Sequence, residues 1–369
     1  MSEKENFQLK LWFNPALVQA FVNQVSAHYP AFDGDAFSQD ILSELDTLEF
    51  KQRIALIAQA LHTHLPQDYP TAISILLKLL DVRDGDFKQG GHLWVIDNFV
   101  ELYGIAHYDQ SIQAMYQITQ RHSSEFSIRP FLMRYQARTL AILHEWKHDE
   151  SEHVRRLVSE GTRPRLPWGG QLKAFITDPT PTLALLEALQ DDPSEYVRRS
   201  VANHLNDISK DHPDKVLDTL ERWSQNASAG TQWLIKHALR TQLKAGSPRA
   251  LALLGYGTPD VTLDDFVLST NVVNMGDSFT LSFRLRNDTD HAQNLMVDYI
   301  MHFMKANGST SPKVFKLKVC ELPAHDSLTI TKSHTIRPIS TRKYYAGTHR
   351  VEIQVNGQVL GGAGFALVL

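Results

Sequence analysis

A single cysteine, Cys320, stands among 369 residues, which excludes an intrachain disulfide and a cysteine-ligated metal cluster. No apolar run reaches membrane-spanning length. The first residues, Met1-Ser2-Glu3-Lys4-Glu5-Asn6, lack the basic-then-apolar layout of a secretory leader. A reducing, cytoplasmic setting is the expectation. Excess positive charge is missing too. The net charge is −4, which disfavours loose, non-specific nucleic-acid binding but leaves room for a focused basic groove. The charge is graded: residues 1–120 carry 7 Lys+Arg against 15 Asp+Glu, whereas residues 271–369 carry 11 against 7.

What is present is a repeat. Residues 139–160 and 182–203 align without a gap, 43 positions apart, with 11 of 22 positions identical. Ordinary composition gives roughly one or two. Both copies open on Thr-Leu-Ala-x-Leu and close on Asp-x-Ser-Glu-x-Val-Arg-Arg, at Asp149 to Arg156 and Asp192 to Arg199. A period in the low forties, made of two helical stretches, marks a HEAT-like α-solenoid, whose stacked repeats offer a long partner a continuous face.

Helical periodicity covers residues 7–255, with segments from Phe50 to Leu65, from Tyr69-Pro70 onward, from Leu93 to Tyr103 and from Thr231 to Leu243. Gly255-Tyr256-Gly257-Thr258-Pro259-Asp260 breaks the pattern. Beyond it the period becomes two: Phe279, Leu281, Phe283 and Leu285 alternate with polar residues, and Asn307-Gly308 and Asn356-Gly357 supply turns. About seven strands in this stretch predict an all-β immunoglobulin-like sandwich lacking the antibody cysteine pair. The expected class is mainly α, with a helical repeat domain at 1–257 and a sandwich at 258–369.

Within the repeat signature, Arg155 and Arg198 are expected to bond neighbouring turns. Arg156 and Arg199 point elsewhere, and a weaker third copy puts Lys236 in the same place. Lys236, Arg240 and Lys244 continue at helical spacing as one stripe. Cations recurring along a solenoid suit a polyphosphate backbone; a solvated face is the bland reading. The segment Ser159-Glu160-Gly161-Thr162-Arg163-Pro164-Arg165-Leu166-Pro167-Trp168 has no counterpart in the twin repeat, where Glu160 aligns with Asn203. Either it displays Arg163, Arg165 and Trp168 along a loop, or Trp168 fills a core gap while Glu160 pairs with Arg156. Glu125 is either a second site carboxylate or a helix-start residue. His144-Glu145-Trp146-Lys147-His148 matches the zinc-protease pattern, but it falls at an ordinary helix end and no third ligand follows, so no metal is expected. Gly361-Gly362-Ala363-Gly364 reads as strand or bulge material, not a phosphate loop.

Taken together, Ser124-Glu125-Phe126-Ser127-Ile128-Arg129-Pro130-Phe131, His153-Val154-Arg155-Arg156-Leu157, the Ser159–Trp168 segment and Val197-Arg198-Arg199 through Asp207 resemble the AlkC group of bacterial DNA alkylation-repair glycosylases. The likeness is near-continuous over Thr119–Asp207 and weaker over Lys51–Tyr103 and Trp233–Tyr256. It implies the HEAT-like fold shared with AlkD relatives, plus the immunoglobulin-like module of one AlkC branch. It further implies hydrolysis of the N-glycosidic bond of cationic bases such as 3-methyladenine and 3-methylcytosine, in bent duplex DNA without a deep flipping pocket. The family's active-site positions fall on Glu125, Arg156, Glu160, Arg163 and Trp168. On this reading Glu160 is the first choice to face the sugar, with Glu125 orienting water or sharing the electrostatic work and Trp168 against the lesion. Arg129, Arg156, Arg163, Arg165, Arg199, Asn203, Lys236, Arg240 and Lys244 would meet the DNA. A monomer without cofactor is expected. The competing class is a non-catalytic HEAT scaffold that binds DNA or protein.

Overall fold

The computed structural model describes residues 9–83, 85–339 and 342–369; the stretch Met1–Asn6 read for a leader lies outside them. Sixteen α-helices are followed by eight strands among these residues. They group into two compact units, one holding the residues up to Asp211 with Ala227–Ala238, the other His212–Asn226 with Leu239–Leu369.

The first unit begins with α1 (Pro15–His28), α2 (Gly34–Leu42), α3 (Phe50–His64) and α4 (Tyr69–Leu77). Each starts where a side chain takes up orphan amides. Asn14 accepts from the Leu17 amide, Asp33 from Ala36 and Asp68 from Thr71, and Glu49 with Gln52 closes a reciprocal capping box. Then come α5 (Gly91–Tyr103), α6 (Tyr108–Thr119), α7 (Ile128–Arg134), α8 (Gln136–Trp146), α9 (Glu152–Gly161), α10 (Lys173–Thr177), α11 (Thr180–Leu189), α12 (Glu195–Ile208) and α14 (Ala229–Ala238).

The twin repeats are the helix pairs α8–α9 and α11–α12. Helix α12 packs against both α9 and α14. The signature aspartates act alike: Asp149 accepts from the Ser151 amide at 2.8 Å and Asp192 from Ser194 at 2.9 Å, each at the mouth of the second helix. Arg155 reaches from the first repeat to the second, gripping Asp192 with Nε at 2.6 Å and Nη2 at 3.0 Å. Asp192 is buried, so removing either partner strands a charge, at a cost of about 3–5 kcal/mol. This bidentate pair joins the two repeats, along with Ser200, whose hydroxyl reaches Ser159 and Glu160 of the first. Where α9 passes α7, Gly161 is required, because a Cβ there would come within 2.7 Å of Ile128 Cγ2.

The second unit contains α13 (Pro213–Ser224), α15 (Arg240–Lys244), α16 (Pro248–Leu253) and the strands. The helix-to-strand change falls between Leu253 and Thr262. One three-stranded sheet runs β1 (Thr262–Leu268), β3 (Ser278–Arg286), β6 (Ser327–Thr335). One five-stranded sheet runs β2 (Val272–Asn274), β8 (Gln358–Val368), β7 (Gly347–Val355), β4 (Gln293–Met304), β5 (Thr310–Leu322). Phe279, Leu281, Phe283 and Leu285 all point inward at 1% exposure or less. Each contributes about 2–3 kcal/mol by burial. Asn356 and Gly357, at φ 44° and 81°, make the two-residue turn between β7 and β8, while Gly361–Gly364 lies inside β8 beside a bulge.

The single helix expected from Thr231 to Leu243 is two. Leu239, buried and with ψ −3°, interrupts the helical ladder between α14 and α15. Lys236 and the pair Arg240, Lys244 therefore do not share one helix face, and they belong to different compact units. No helix among the described residues is long and apolar enough to cross a membrane.

Candidate functional site

Helix α9 presents Arg156 and Glu160 one turn apart on the face turned toward the Ser123–Ser127 turn and α12. Arg156 Nη1 donates to Glu125 Oε2 at 2.6 Å and to Ser123 Oγ at 2.8 Å. Its Nη2 lies 3.5 Å from Glu160 Oε1. Glu160 accepts from Arg163 Nη1 at 2.7 Å and from Ser200 Oγ at 2.5 Å. Arg163 Nε continues to Asp207 Oδ2 at 2.8 Å, and Lys210 Nζ sits 3.0 Å from Asp207 Oδ1. The result is a chain of alternating charge, Glu125–Arg156–Glu160–Arg163–Asp207–Lys210. Burial disfavours the charge on Arg156, but Glu160 and Glu125 more than reverse this and raise its pKa. Each interior member of the chain, Arg156, Glu160, Arg163 and Asp207, has a group of opposite sign on both sides, which offsets its desolvation.

The two carboxylates are not equivalent. Glu125 is half-buried and forms part of the wall of a cleft of about 330 Å³, with Trp94, Arg121, His122, Ser123, Phe126, His153 and Tyr196. Glu160 is 6% exposed, does not line that cleft, and has both oxygens engaged. Glu125 is not a helix-start residue, since α7 begins three residues later at Ile128. Burial and the Arg156 charge push His122 down to about 4, so this ring is neutral near pH 7.

Trp168 is 64% exposed, which removes the core-plug reading. It holds φ at 63°, a left-handed conformation costing a non-glycine residue about 1–2 kcal/mol. The loop carries that strain because Arg129 grips it. The Arg129 guanidinium donates to the carbonyls of Gly161, Arg163 and Gly170. Lys51 Nζ bonds the Trp168 carbonyl and stands 4.4 Å over the Phe126 ring. Phe50 touches both Trp168, at 5.9 Å between centroids, and Trp94, at 5.3 Å. An aromatic arc thus leads from Trp168 to the cleft.

The expected phosphate contacts divide. Arg129 and Arg163, at 3% and 6% exposure, are interior, and Arg156 is committed to Glu125 and Glu160. These three correct the sequence reading: the residue type matches, but the charge is consumed inside the protein. Arg165 is half-buried and forms a forked pair with Asp211. Arg199 has a side chain 60% exposed beside Glu195, Lys236 is exposed, Asn203 meets His237 at 3.2 Å, and Arg240 is half-buried. Lys244 is exposed in the second unit, in the field of Asp298.

Family models match two stretches: "DNA alkylation repair enzyme" over residues 52–241, and the C-terminal Ig-like domain of uncharacterised protein YhaZ over 262–369. Protein YhaZ of Bacillus subtilis is 37% identical over 354 residues, 95% of this chain and 97% of its own. The alkylpurine DNA glycosylase AlkC of Pseudomonas fluorescens, solved bound to DNA containing an abasic site analog, superposes with a TM-score of 0.92 at 39% identity, covering 98% of this chain and all of that one.

The chain belongs to the AlkC-like DNA alkylation repair enzymes.

Several walls of this AlkC-like cleft escaped the sequence reading. Tyr196 and His153 occupy one repeat position, and Trp233 is its third copy. Two of the three rings lie beside a cation of the preceding repeat: Arg156 sits 5.0 Å from Tyr196 and Arg199 6.0 Å from Trp233. The repeat register contained that signal. His122 and Phe126 flank Glu125 in the chain itself, whereas Trp94 had no such signal and is brought in by tertiary packing. The zinc-like pattern does not form a ligand face, because α8 ends at Trp146 and His148 lies past it. No group of three or more potential ligands for a metal ion occurs among the described residues.

Proposed function

We propose that this chain is a DNA N-glycosylase that hydrolyses the N-glycosidic bond of cationic alkylated bases, 3-methyladenine and 3-methylcytosine, in duplex DNA and so starts base excision repair. The observation that carries the reading is Glu125, a carboxylate at a shallow aromatic cleft, held at 2.6 Å by Arg156.

A base made cationic by alkylation at a ring nitrogen leaves as a neutral molecule, so no general acid is needed. The barrier lies in the oxocarbenium-like sugar. Water adds to C1′, the base departs with the bonding pair, and one proton is released. A carboxylate at the cleft stabilises the developing positive charge and accepts a hydrogen bond from the water. Glu125 takes that place in this proposal, and Glu160, behind Arg156, keeps the guanidinium from neutralising it fully. Trp168 supports the lesion: no cation among the described residues stands over its ring, whereas Phe126 and Tyr196 already face Lys51 and Arg156. A cationic base gains about 0.5–2 kcal/mol against such a ring. Arg199 and Lys236, with side chains at the surface, are placed to meet phosphates, and Arg165 would have to exchange Asp211 for one.

Release of free base from duplexes containing 3-methyladenine or 3-methylcytosine tests the proposal. Binding without release would leave a scaffold that recognises DNA, and no binding would leave a protein scaffold.

A further inference from the structure

Beneath the Glu125 turn lies a carboxyl group with no part in the charge chain. Asp97 on α5 is 4% exposed, and Ser127 Oγ donates to its Oδ1 at 2.5 Å. Ser127 is fully buried, two residues past Glu125, and its hydroxyl also approaches the Ser124 carbonyl at 3.4 Å. Ser124, equally buried, ties the other end of the turn to the Met115 carbonyl of α6 at 3.3 Å. A backbone bond from the Ile128 amide to the Ser124 carbonyl at 3.1 Å closes the turn ahead of α7, and the two serine side chains tie that turn to its surroundings. Two buried serines therefore hold Glu125 in place, and one of them hangs from Asp97.

We propose that Asp97, through Ser127, is a positioning residue that aims Glu125 at Arg156 and the cleft. This rests on the glycosylase reading above for its catalytic consequence, though not for the anchoring itself. A hydroxyl between two buried carriers removes rotational freedom from the turn, so Glu125 does not reorganise as the sugar charge develops. Burial pushes Asp97 up to about 8, with Glu101 and Glu125 adding to the rise while the hydrogen bonds from Ser127 and Ser124 oppose it. Ser127 and Ser124 face it from the turn, while Glu125 from the turn and Glu101 from its own helix are both carboxylates. An anion at Asp97 would be a third negative charge in one small volume. On the alkaline side an Asp97 anion repels Glu125, even as its bond from Ser127 strengthens, and base release slows.

The test compares wild type with Asp97→Asn, Asp97→Leu and Ser127→Ala. Three readouts are taken: single-turnover release of 3-methyladenine from pH 6 to 9.5, affinity for a duplex containing a tetrahydrofuran abasic analogue, and amide exchange over residues 123–127. Asp97→Leu and Ser127→Ala should lower the rate about tenfold or more, leave affinity within about twofold, and speed exchange of the turn. Asp97→Asn, the mimic of the neutral acid, should restore the rate near pH 7 and abolish the alkaline fall. Wild-type exchange in Ser127→Ala, or an alkaline fall persisting in Asp97→Asn, overturns the proposal. If wild type releases no base, the glycosylase reading fails while the exchange comparison still judges the anchor.

Discussion

Replacing Glu125 by Gln removes one negative charge from the cleft wall and little else. The shape is kept, and the Gln oxygen still accepts from Arg156. A unit charge about 4 Å from the sugar, at an effective dielectric near 20, contributes about 4 kcal/mol. Arg156, 2.6 Å behind the carboxylate, opposes part of this in the native protein. Once Glu125 is neutral, that cation faces the developing oxocarbenium. Partial exposure screens both effects. The expected loss is about a hundredfold to a thousandfold in the single-turnover rate, with affinity for an abasic-analogue duplex unchanged. Glu160→Gln supplies the internal comparison. At about 10 Å the same calculation gives about 1.7 kcal/mol, a loss nearer tenfold, accompanied by lower thermal stability because Arg163 loses its charged partner. Rates measured by quenched-flow release of 3-methyladenine decide the matter. A Glu125→Gln rate within about threefold of wild type, with Glu160→Gln the more damaged, would refute the electrostatic reasoning and return the direct role to Glu160.

Arg199→Ala should weaken binding to duplexes of any sequence and flatten the dependence of log K on log salt by about one unit, as measured by anisotropy titrations. Trp168→Gly should slow release of a cationic base about two- to thirtyfold, from the 0.5–2 kcal/mol of a cation–ring contact. Its unfolding temperature should not fall, since the ring is exposed and glycine relieves the left-handed backbone. Asp97 has a folded pKa raised far above its unfolded value, so the stability its proton confers is full below about 4 and is lost as pH rises to about 8, at about 1.4 kcal/mol per unit. Asp97→Asn should flatten that decline, seen as an unfolding temperature falling less between pH 5 and pH 8 than in wild type.

The order of elements was written in the sequence because local rules decide it. Apolar spacing of 3.6 gave way to 2 after Gly255, the capping residues marked helix starts, and the 22-residue repeat fixed α8–α9 against α11–α12. The likeness to AlkC-type sequences gathered Glu125, Arg156, Glu160, Arg163 and Trp168 as one group, and four of these five do share one charge network. Which of them meets solvent was not legible. Burial is a property of what packs against a residue from distant parts of the chain, and a charge pattern looks the same on either side of a helix. Tertiary structure alone turned Arg129 into a clamp on the Trp168 loop, took Glu160 out of the cleft wall, and brought Trp94 to Glu125. It also split the helix at Leu239, where a buried side chain outweighed a continuous helical pattern. Local spacing determined the elements; the pairing of buried charges between them decided which carboxylate lines the cleft and which lies behind it.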